Sequence, residues 1–170
     1  MPFAISVKAD GESAIMQLFD HLLGYDKQAM FDEIGAYGVS STQLRFVDQS
    51  DVDGNPWKQS WRAELQNGQT LRDTGRLMNS LTHNVINNGV EWGTNVEYAA
   101  TMHYGVEIYP KTAGYLVFQV AGNWRKVKKV EIEPRTFLGI NQEDDEEILN
   151  IKIFLITLSQ KHAIERSSSY

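Results

Sequence analysis

A tight turn between two alternating segments is the strongest local constraint in this sequence. Asn88-Gly89 separates the two segments, and this dipeptide favours a type I′ turn because both central residues need a positive φ. Three residues of the returning segment fall on one face: Val90, Trp92 and Thr94. The sequence therefore predicts a β-hairpin over 81–96.

Short helical turns are predicted on both sides of this hairpin. Asp73-Thr74-Gly75 is typical of a turn that opens a single helical turn over 76–79. Downstream, 98–104 has a helical pattern that is too short to be stable alone, and Gly105 predicts where it ends. Both turns must therefore be stabilised by packing against the rest of the fold.

Composition indicates one folded domain. The chain has 170 residues, of which 42% are hydrophobic, and this is enough to form a buried core. We expect a single domain over 1–170, with a helical part at 1–47, a β-rich part at 70–140 and a C-terminal helix at 141–165. The expected fold class is α+β, with helices packed on one side of a small, mostly antiparallel sheet of two hairpins.

Charge and cysteine content exclude several classes of protein. There is no cysteine, so the fold cannot depend on disulfides, and thiolate zinc sites and thiol catalysis are excluded. The formal net charge is −6, with 16 basic and 22 acidic residues, which disfavours a general nucleic-acid binder. No signal-peptide pattern or apolar run of about 20 residues is present, so we expect no membrane association.

Helices are predicted towards both ends of the chain. Apolar spacing indicates helices at 12–23 and from 26 to about 46, and Gly35 and Gly38 each weaken the second by about 1 kcal/mol. Near the C-terminus, Asn141 is expected to cap a helix whose acidic start complements the helix dipole. The carboxylates of that acidic run are expected to splay outward on consecutive helical positions.

The C-terminal helix carries apolar residues nearly all round. One stripe contains Ile148, Ile151, Leu155 and Leu158. Further apolar residues lie outside this stripe, and a helix of that kind is either central to a core or covered by another chain. Because the chain is short, we expect a neighbouring chain to cover part of it.

A second hairpin is predicted from a strand at 115–120 and a strand at 124–132. The second strand contains a basic run with four cationic residues: Arg125, Lys126, Lys128 and Lys129. Such a run can be a solvated strand edge that resists sheet-to-sheet aggregation. It can also contact DNA or an acidic surface of a neighbouring subunit. Sequence alone leaves both interpretations open.

Trp57 and Trp61 are the most prominent aromatic pair. They are four residues apart, so a helical turn would place them on one face. Both can anchor the sheet to the helices. Alternatively they form a partner-binding pair, because tryptophan is enriched among the residues that dominate interface energies.

No catalytic, metal-binding or cofactor-binding residue is predicted. The loop at 47–56 resembles a calcium loop only in part: Asp51 and Asp53 fit ligand positions, but Gln49 and Ser60 stand where acidic ligands belong. An Asp-Gly turn is therefore favoured. The histidines lack the spacing of paired metal ligands. They are His21, His83, His103 and His162.

Four segments together resemble a known family. They are DGNPW at 53–57, DTGRLMNSL at 73–81, NGVEWGTNVEYAATMHYG at 88–105 and PRTFLGI at 134–140. Their order resembles that of the phage virion morphogenesis family, which includes tail-completion or head–tail joining proteins of Mu-like phages and prophages. The resemblance extends from about residue 44 to residue 140.

This resemblance implies a structural virion protein of a tailed phage or prophage rather than an enzyme. It would form a ring of identical subunits at the end of the tail or at the head–tail junction, after assembly in the host cytoplasm. Its partners would be tail or connector proteins. Trp57, Trp61 and the Ile148–Leu158 stripe would be subunit contacts, and the basic run would face DNA or another ring.

Two alternatives belong to other classes. One is a DNA-processing enzyme encoded by a prophage, with a carboxylate metal site that includes Asp51 and Asp53. The other is a monomeric adaptor that forms no ring.

Overall fold

The computed structural model describes residues 3–8, 26–112 and 114–167, and the fold class is α+β as predicted. In chain order the elements are β1 (Phe3–Lys8), α1 (Lys27–Asp48), α2 (Trp61–Gln66), α3 (Arg76–Asn79), β2 (Thr82–Ile86), β3 (Gly89–Thr94), α4 (Ala99–Tyr104), β4 (Val106–Ile108), β5 (Leu116–Val120), β6 (Asn123–Val127), β7 (Val130–Ile132) and α5 (Gln142–Ser167). The helix predicted at 12–23 lies outside the described residues.

The chain divides into two compact units. The first unit comprises the described residues of Met1–Ala4, Ser41–Leu81 and Gly93–Gly139. The second comprises those of Ile5–Ser40, Thr82–Trp92 and Ile140–Tyr170. The chain passes from one unit to the other within β1, α1 and β3.

The first hairpin has the predicted strands and a shifted turn. Asn87 and Asn88 connect β2 to β3, and Asn88 has a positive φ of 57°. Gly89 is the first residue of β3, so the turn lies one residue earlier than the Asn88-Gly89 prediction. Val90, Trp92 and Thr94, which the alternation places on one face of β3, are all buried. The strand order of this sheet is β1-β3-β2.

Two glycines of α1 allow close contact with the hairpin in the second unit. A Cβ atom at Gly38 would lie 2.5 Å from Cδ2 of Trp92, and one at Gly35 would lie 2.5 Å from the His83 ring. No side chain fits in either place. The cost of about 1 kcal/mol for each glycine in the helix therefore accompanies burial of the Trp92 side chain, which is 2% exposed and whose burial is favourable.

The second hairpin is shorter than predicted. β5 and β6 pair antiparallel, and Ala121 and Gly122 form the turn with φ values of 49° and 80°. The chain then bends at Lys128 and Lys129, and β7 pairs with β4 instead. The predicted continuous strand at 124–132 is therefore wrong. The two hairpins lie in separate sheets rather than in one.

An aromatic cluster forms the core of the first unit. Phe137 is completely buried, and its ring centroid lies 5.1–5.9 Å from those of three other rings. These rings belong to Phe3, Phe46 and His103. The rings meet edge to face or tilted, which is the arrangement that aromatic pairs favour.

Two buried arginines hold the extended segment that precedes α5. Arg45 Nη1 donates to the carbonyl oxygens of Phe137 and Gly139, both at 3.0 Å. Arg135 donates to the carbonyl oxygen of Lys58 from Nε at 3.1 Å and from Nη2 at 3.0 Å. Burial lowers the pKa of Arg135 from its ordinary value. These contacts satisfy backbone carbonyls that the irregular chain leaves without a helix or sheet partner.

Burial of His103 is expected to make the protein less stable in acid. Desolvation lowers the pKa of His103 below 6.5, so the unfolded chain takes up this proton at a higher pH than the native fold. The stabilisation is complete above pH ~6.5 and is lost as pH falls through the native pKa, with a limiting slope of about 1.4 kcal/mol per pH unit.

Urea unfolding of the wild-type protein and of His103→Gln between pH 8 and pH 4.5 measures this slope. The carboxylates titrate in both proteins, so the difference between the two curves isolates the imidazole. Parallel curves would show that protonation of His103 does not affect folding.

Candidate interaction surfaces

Trp57 and Trp61 do not share a helical face. α2 begins at Trp61, because Ser60 is its N-cap and the Ser60 hydroxyl accepts a hydrogen bond from the backbone N–H of Ala63 at 3.3 Å. Trp57 precedes the helix and packs edge-on against Phe46, with ring centroids 5.5 Å apart. Trp61 is 59% exposed. Trp57 thus contributes to the core, and Trp61 is the member of the pair that a partner can reach.

An open cleft of about 520 Å³ lies beside Trp61 in the first unit. Trp124 on β6 is 73% exposed and lines the cleft with Leu65 of α2, which is also exposed. Arg125, Lys126, Val127 and the exposed residue Glu64 complete the lining. We call these seven residues the tryptophan cleft. It combines two accessible indoles with two cations and one carboxylate.

The basic run is divided between three settings. Arg125 and Lys126 lie on β6 opposite Phe118 and Val117, and the Lys126 ammonium sits 4.5 Å from the Tyr115 ring centroid. Lys128 is exposed at the bend after β6. This distribution gives β6 and the bend after it a local positive charge in a chain whose net charge is −6.

Lys129 is engaged within its own unit. Its ammonium group pairs with the Glu107 carboxylate, which also accepts a hydrogen bond from the Tyr109 hydroxyl at 2.8 Å. The hydrogen bonds from Lys129 and Tyr109 lower the pKa of Glu107, and the same contact raises the pKa of Lys129. Lys129 is therefore less suited to a partner contact than the cations on β6 are.

Hydrogen bonds at the first turn of α5 fix which side of the helix faces the interior. Asn141 caps the helix as predicted: its side-chain oxygen accepts from the Asp144 N–H at 2.8 Å, and the Asp144 carboxylate accepts from the Asn141 N–H at 3.0 Å. The Asp144 carboxylate also accepts from the Tyr37 hydroxyl at 3.1 Å. The prediction that all carboxylates of the acidic run splay outward is wrong, because Asp144 turns inward.

The predicted apolar stripe of α5 follows this inner side for most of its length. Ile148 is buried within the single chain, Ile151 and Leu155 are half-buried, and Leu158 is exposed. Ile148 is therefore not available to a neighbouring subunit.

The opposite side of α5 carries large exposed apolar residues. Leu149 and Ile153 are exposed, and Phe154 is 64% exposed. Glu146 and Glu147 are exposed just before them, and Glu146 accepts from the Gln142 side chain at 3.1 Å. We call these five residues, Glu146, Glu147, Leu149, Ile153 and Phe154, the outer face of α5. The spacing of apolar residues outside the stripe was the sequence signal for it.

A second cavity, of about 360 Å³, is lined by residues from the family-like segments. Arg76 lies over the Tyr98 ring at 6.0 Å, and Met102 faces the same space. Arg62 and Asp73 also line the cavity, and Arg62 Nη1 forms an ion pair with Asp73 Oδ1 at 3.5 Å. The DTGR turn thus builds a wall of this cavity as well as the start of α3.

The loop proposed as a partial calcium site is a hydrogen-bonded turn. The Asp51 carboxylate accepts from the backbone N–H groups of Asp53 and Asn55 at 3.0 and 2.8 Å. Gly54 has a φ of 82°, as an Asp-Gly turn requires. Within residues 3–8, 26–112 and 114–167, no group of three or more histidines and carboxylates is placed to hold a metal ion.

The histidines occupy separate environments. His83 Nε2 contacts the Asp32 carboxylate at 2.9 Å, and His103 lies in the aromatic cluster. His21 lies outside the described residues, and so does the side chain of His162. Along the described part of the chain, no helix is both long and apolar enough to cross a membrane.

Comparison with known proteins agrees with the four motifs. The model of the phage virion morphogenesis family matches residues 10–154. Mu-like prophage FluMu G protein 2 of Haemophilus influenzae is 32% identical over 113 residues, which cover 65% of this chain and 68% of that protein. No solved structure matches the chain.

Proposed function

Because the chain belongs to the phage virion morphogenesis family, we propose that this structural protein completes the tail or joins it to the head of a tailed phage or prophage. It acts as a ring of identical subunits. Its partners are tail or head–tail connector proteins, and its place is the virion after assembly in the host cytoplasm. Its action is docking between protein surfaces, without bond chemistry.

The observation that carries the ring proposal is the presence of two different exposed apolar surfaces on one chain. The tryptophan cleft is built by α2 and β6, and the outer face of α5 is built by another element. A closed ring needs two unlike surfaces on each subunit, because every subunit contacts one neighbour with each of them. Exposed tryptophan and phenylalanine side chains are suited to such contacts.

The basic run supports a further contact within the virion. Arg125, Lys126 and Lys128 are exposed on one hairpin, and a cationic surface attracts either DNA or an acidic protein surface. In the ring this surface faces passing DNA or the next ring of the particle.

Disruption of the gene in the phage or prophage that encodes it tests the proposed function. We expect particle assembly to stop with separate heads and tails in electron micrographs, and infectious yield to fall by several orders of magnitude. Expression of the wild-type gene from a plasmid is the control and restores yield. Intact virions of normal yield in the absence of the protein would contradict a role in completion or joining.

A further inference from the structure

We propose that the outer face of α5 of one subunit docks in the tryptophan cleft of the next, so that one contact repeats head to tail. This inference rests on the proposed ring. It names the two surfaces that meet and commits to a second copy of this chain as the occupant of the cleft.

The cleft has the composition of a binding surface for an acidic, apolar segment. Trp61 and Trp124 offer two indoles that the single chain leaves largely exposed, with Leu65 beside them. Arg125 and Lys126 also line the cleft and are only partly offset by Glu64, so its lining carries a net positive charge. Within the described residues, no carboxylate forms an ion pair with either cation.

The outer face of α5 has the complementary composition. Glu146, Leu149 and Ile153 follow one another at intervals of three and four residues, so they form one line along the helix. Phe154 follows Ile153 about 100° further round the helix and lies in line with Glu147. Each glutamate thus precedes an apolar residue on its own line by about 10 Å along the axis, at 1.5 Å per residue. Opposite charge and shared apolar character favour this pairing with the cleft.

A contact between two copies of α5 is the main competitor. It would bury the outer face, but it would stop at a dimer and leave both indoles of the tryptophan cleft exposed. The unlike contact covers both surfaces and can repeat, as a ring requires. It is therefore the pairing that the exposed residues favour.

Charge reversal on each surface tests the proposal at residues that are exposed and therefore do not contribute to the buried core. The cleft variant is Arg125→Glu with Lys126→Glu, and the helix variant is Glu146→Lys with Glu147→Lys. We expect each variant alone to lose at least tenfold in self-association, because like charges then face one another. Light scattering over a concentration series and native mass spectrometry measure the loss.

Mixing the two variants in equal amounts gives the decisive result. The acidic α5 of the cleft variant then meets an unaltered basic cleft, and the basic α5 of the helix variant meets an acidic cleft. We expect association to return, with the two variants present in equal numbers in each oligomer. Lys111→Glu reverses an exposed charge elsewhere and is expected to leave assembly unchanged.

Phe154→Ser provides a second test that leaves every charge in place. We expect the same weakening of self-association, with the unfolding midpoint unchanged. A cleft variant that associates as the wild type does would overturn the pairing and favour contact between two copies of α5. A wild-type protein that stays monomeric at every concentration would also overturn it. So would a mixture of the two charge-reversal variants that stays monomeric.

The particle assay keeps the two proposals distinguishable. If gene disruption still separates heads from tails while charge reversal leaves the ring intact, the proposed function stands and this pairing fails. If disruption leaves virions intact, the proposed function fails, whatever the variants do in solution.

Discussion

Replacing Phe137 with alanine is expected to lower the free energy of unfolding by about 3–5 kcal/mol. Phe137 is completely buried, and its ring contacts those of Phe3, Phe46 and His103. The substitution removes the shared centre of this cluster and leaves a cavity that rings held by three different segments cannot collapse to fill. A domain of this kind is stabilised by only about 5–15 kcal/mol in total, so the substitution removes a large fraction of the free energy of unfolding.

Urea unfolding followed by tryptophan fluorescence measures this loss. Phe154→Ala is the matched control, since the same ring is removed from an exposed position on α5. At concentrations below those that support self-association, the control is expected to change stability by less than about 0.5 kcal/mol. Equal losses in the two variants would contradict the central position of Phe137.

Replacing Gly93 with alanine is expected to separate β1 from β3. A Cβ atom at Gly93 would meet the carbonyl oxygen of Phe3 and would lie 2.5 Å from Cα of Ala4. Both are backbone atoms, so no side-chain rotation relieves the overlap. We expect a loss of about 2–3 kcal/mol, at the upper end of the usual cost of overpacking.

Amide hydrogen exchange in β1, together with urea unfolding, measures this effect. Gly114→Ala is the control, because nothing lies within 4 Å of a Cβ atom built there. We expect faster exchange in β1 of the Gly93 variant alone. Unchanged protection of those amides would show that the strands tolerate the added methyl group.

Local signals in the sequence were sufficient for several elements. The turn at 73–75 and the helix over Arg76–Asn79 were predicted with their observed bounds, and Gly105 ends α4 with a φ of 70°. Asn141 caps α5 as expected. In each case the deciding interactions join residues within a few positions of one another.

Pairing over long distances was not readable in the same way. β7 leaves the line of β6 and pairs with β4 instead. Alternation alone favoured one long strand, because periodicity carries no information about which partner a strand will find. The contacts of Gly35 and Gly38 with the first hairpin were not predicted for the same reason.

The interaction surfaces were anticipated only in part. Trp61, Arg125 and Lys126 were singled out from sequence, and all three line the tryptophan cleft. Trp124, which lines the cleft with them, was not singled out. Ile148 was named as a subunit contact, yet it is buried in its own chain. The inward position of Asp144 sets the orientation of α5 about its axis, and the apolar periodicity of the sequence does not predict that orientation.

The hydrogen bond from the Tyr37 hydroxyl to Asp144 sets the rotational phase of α5 about its own axis. With that phase set, substitutions at Leu149 or Phe154 change the exposed side of the helix without disturbing the interior. In the proposed ring, compatibility with a neighbour and integrity of the subunit would thus be encoded on different sides of one helix. Related phages could diverge in the first while retaining the second.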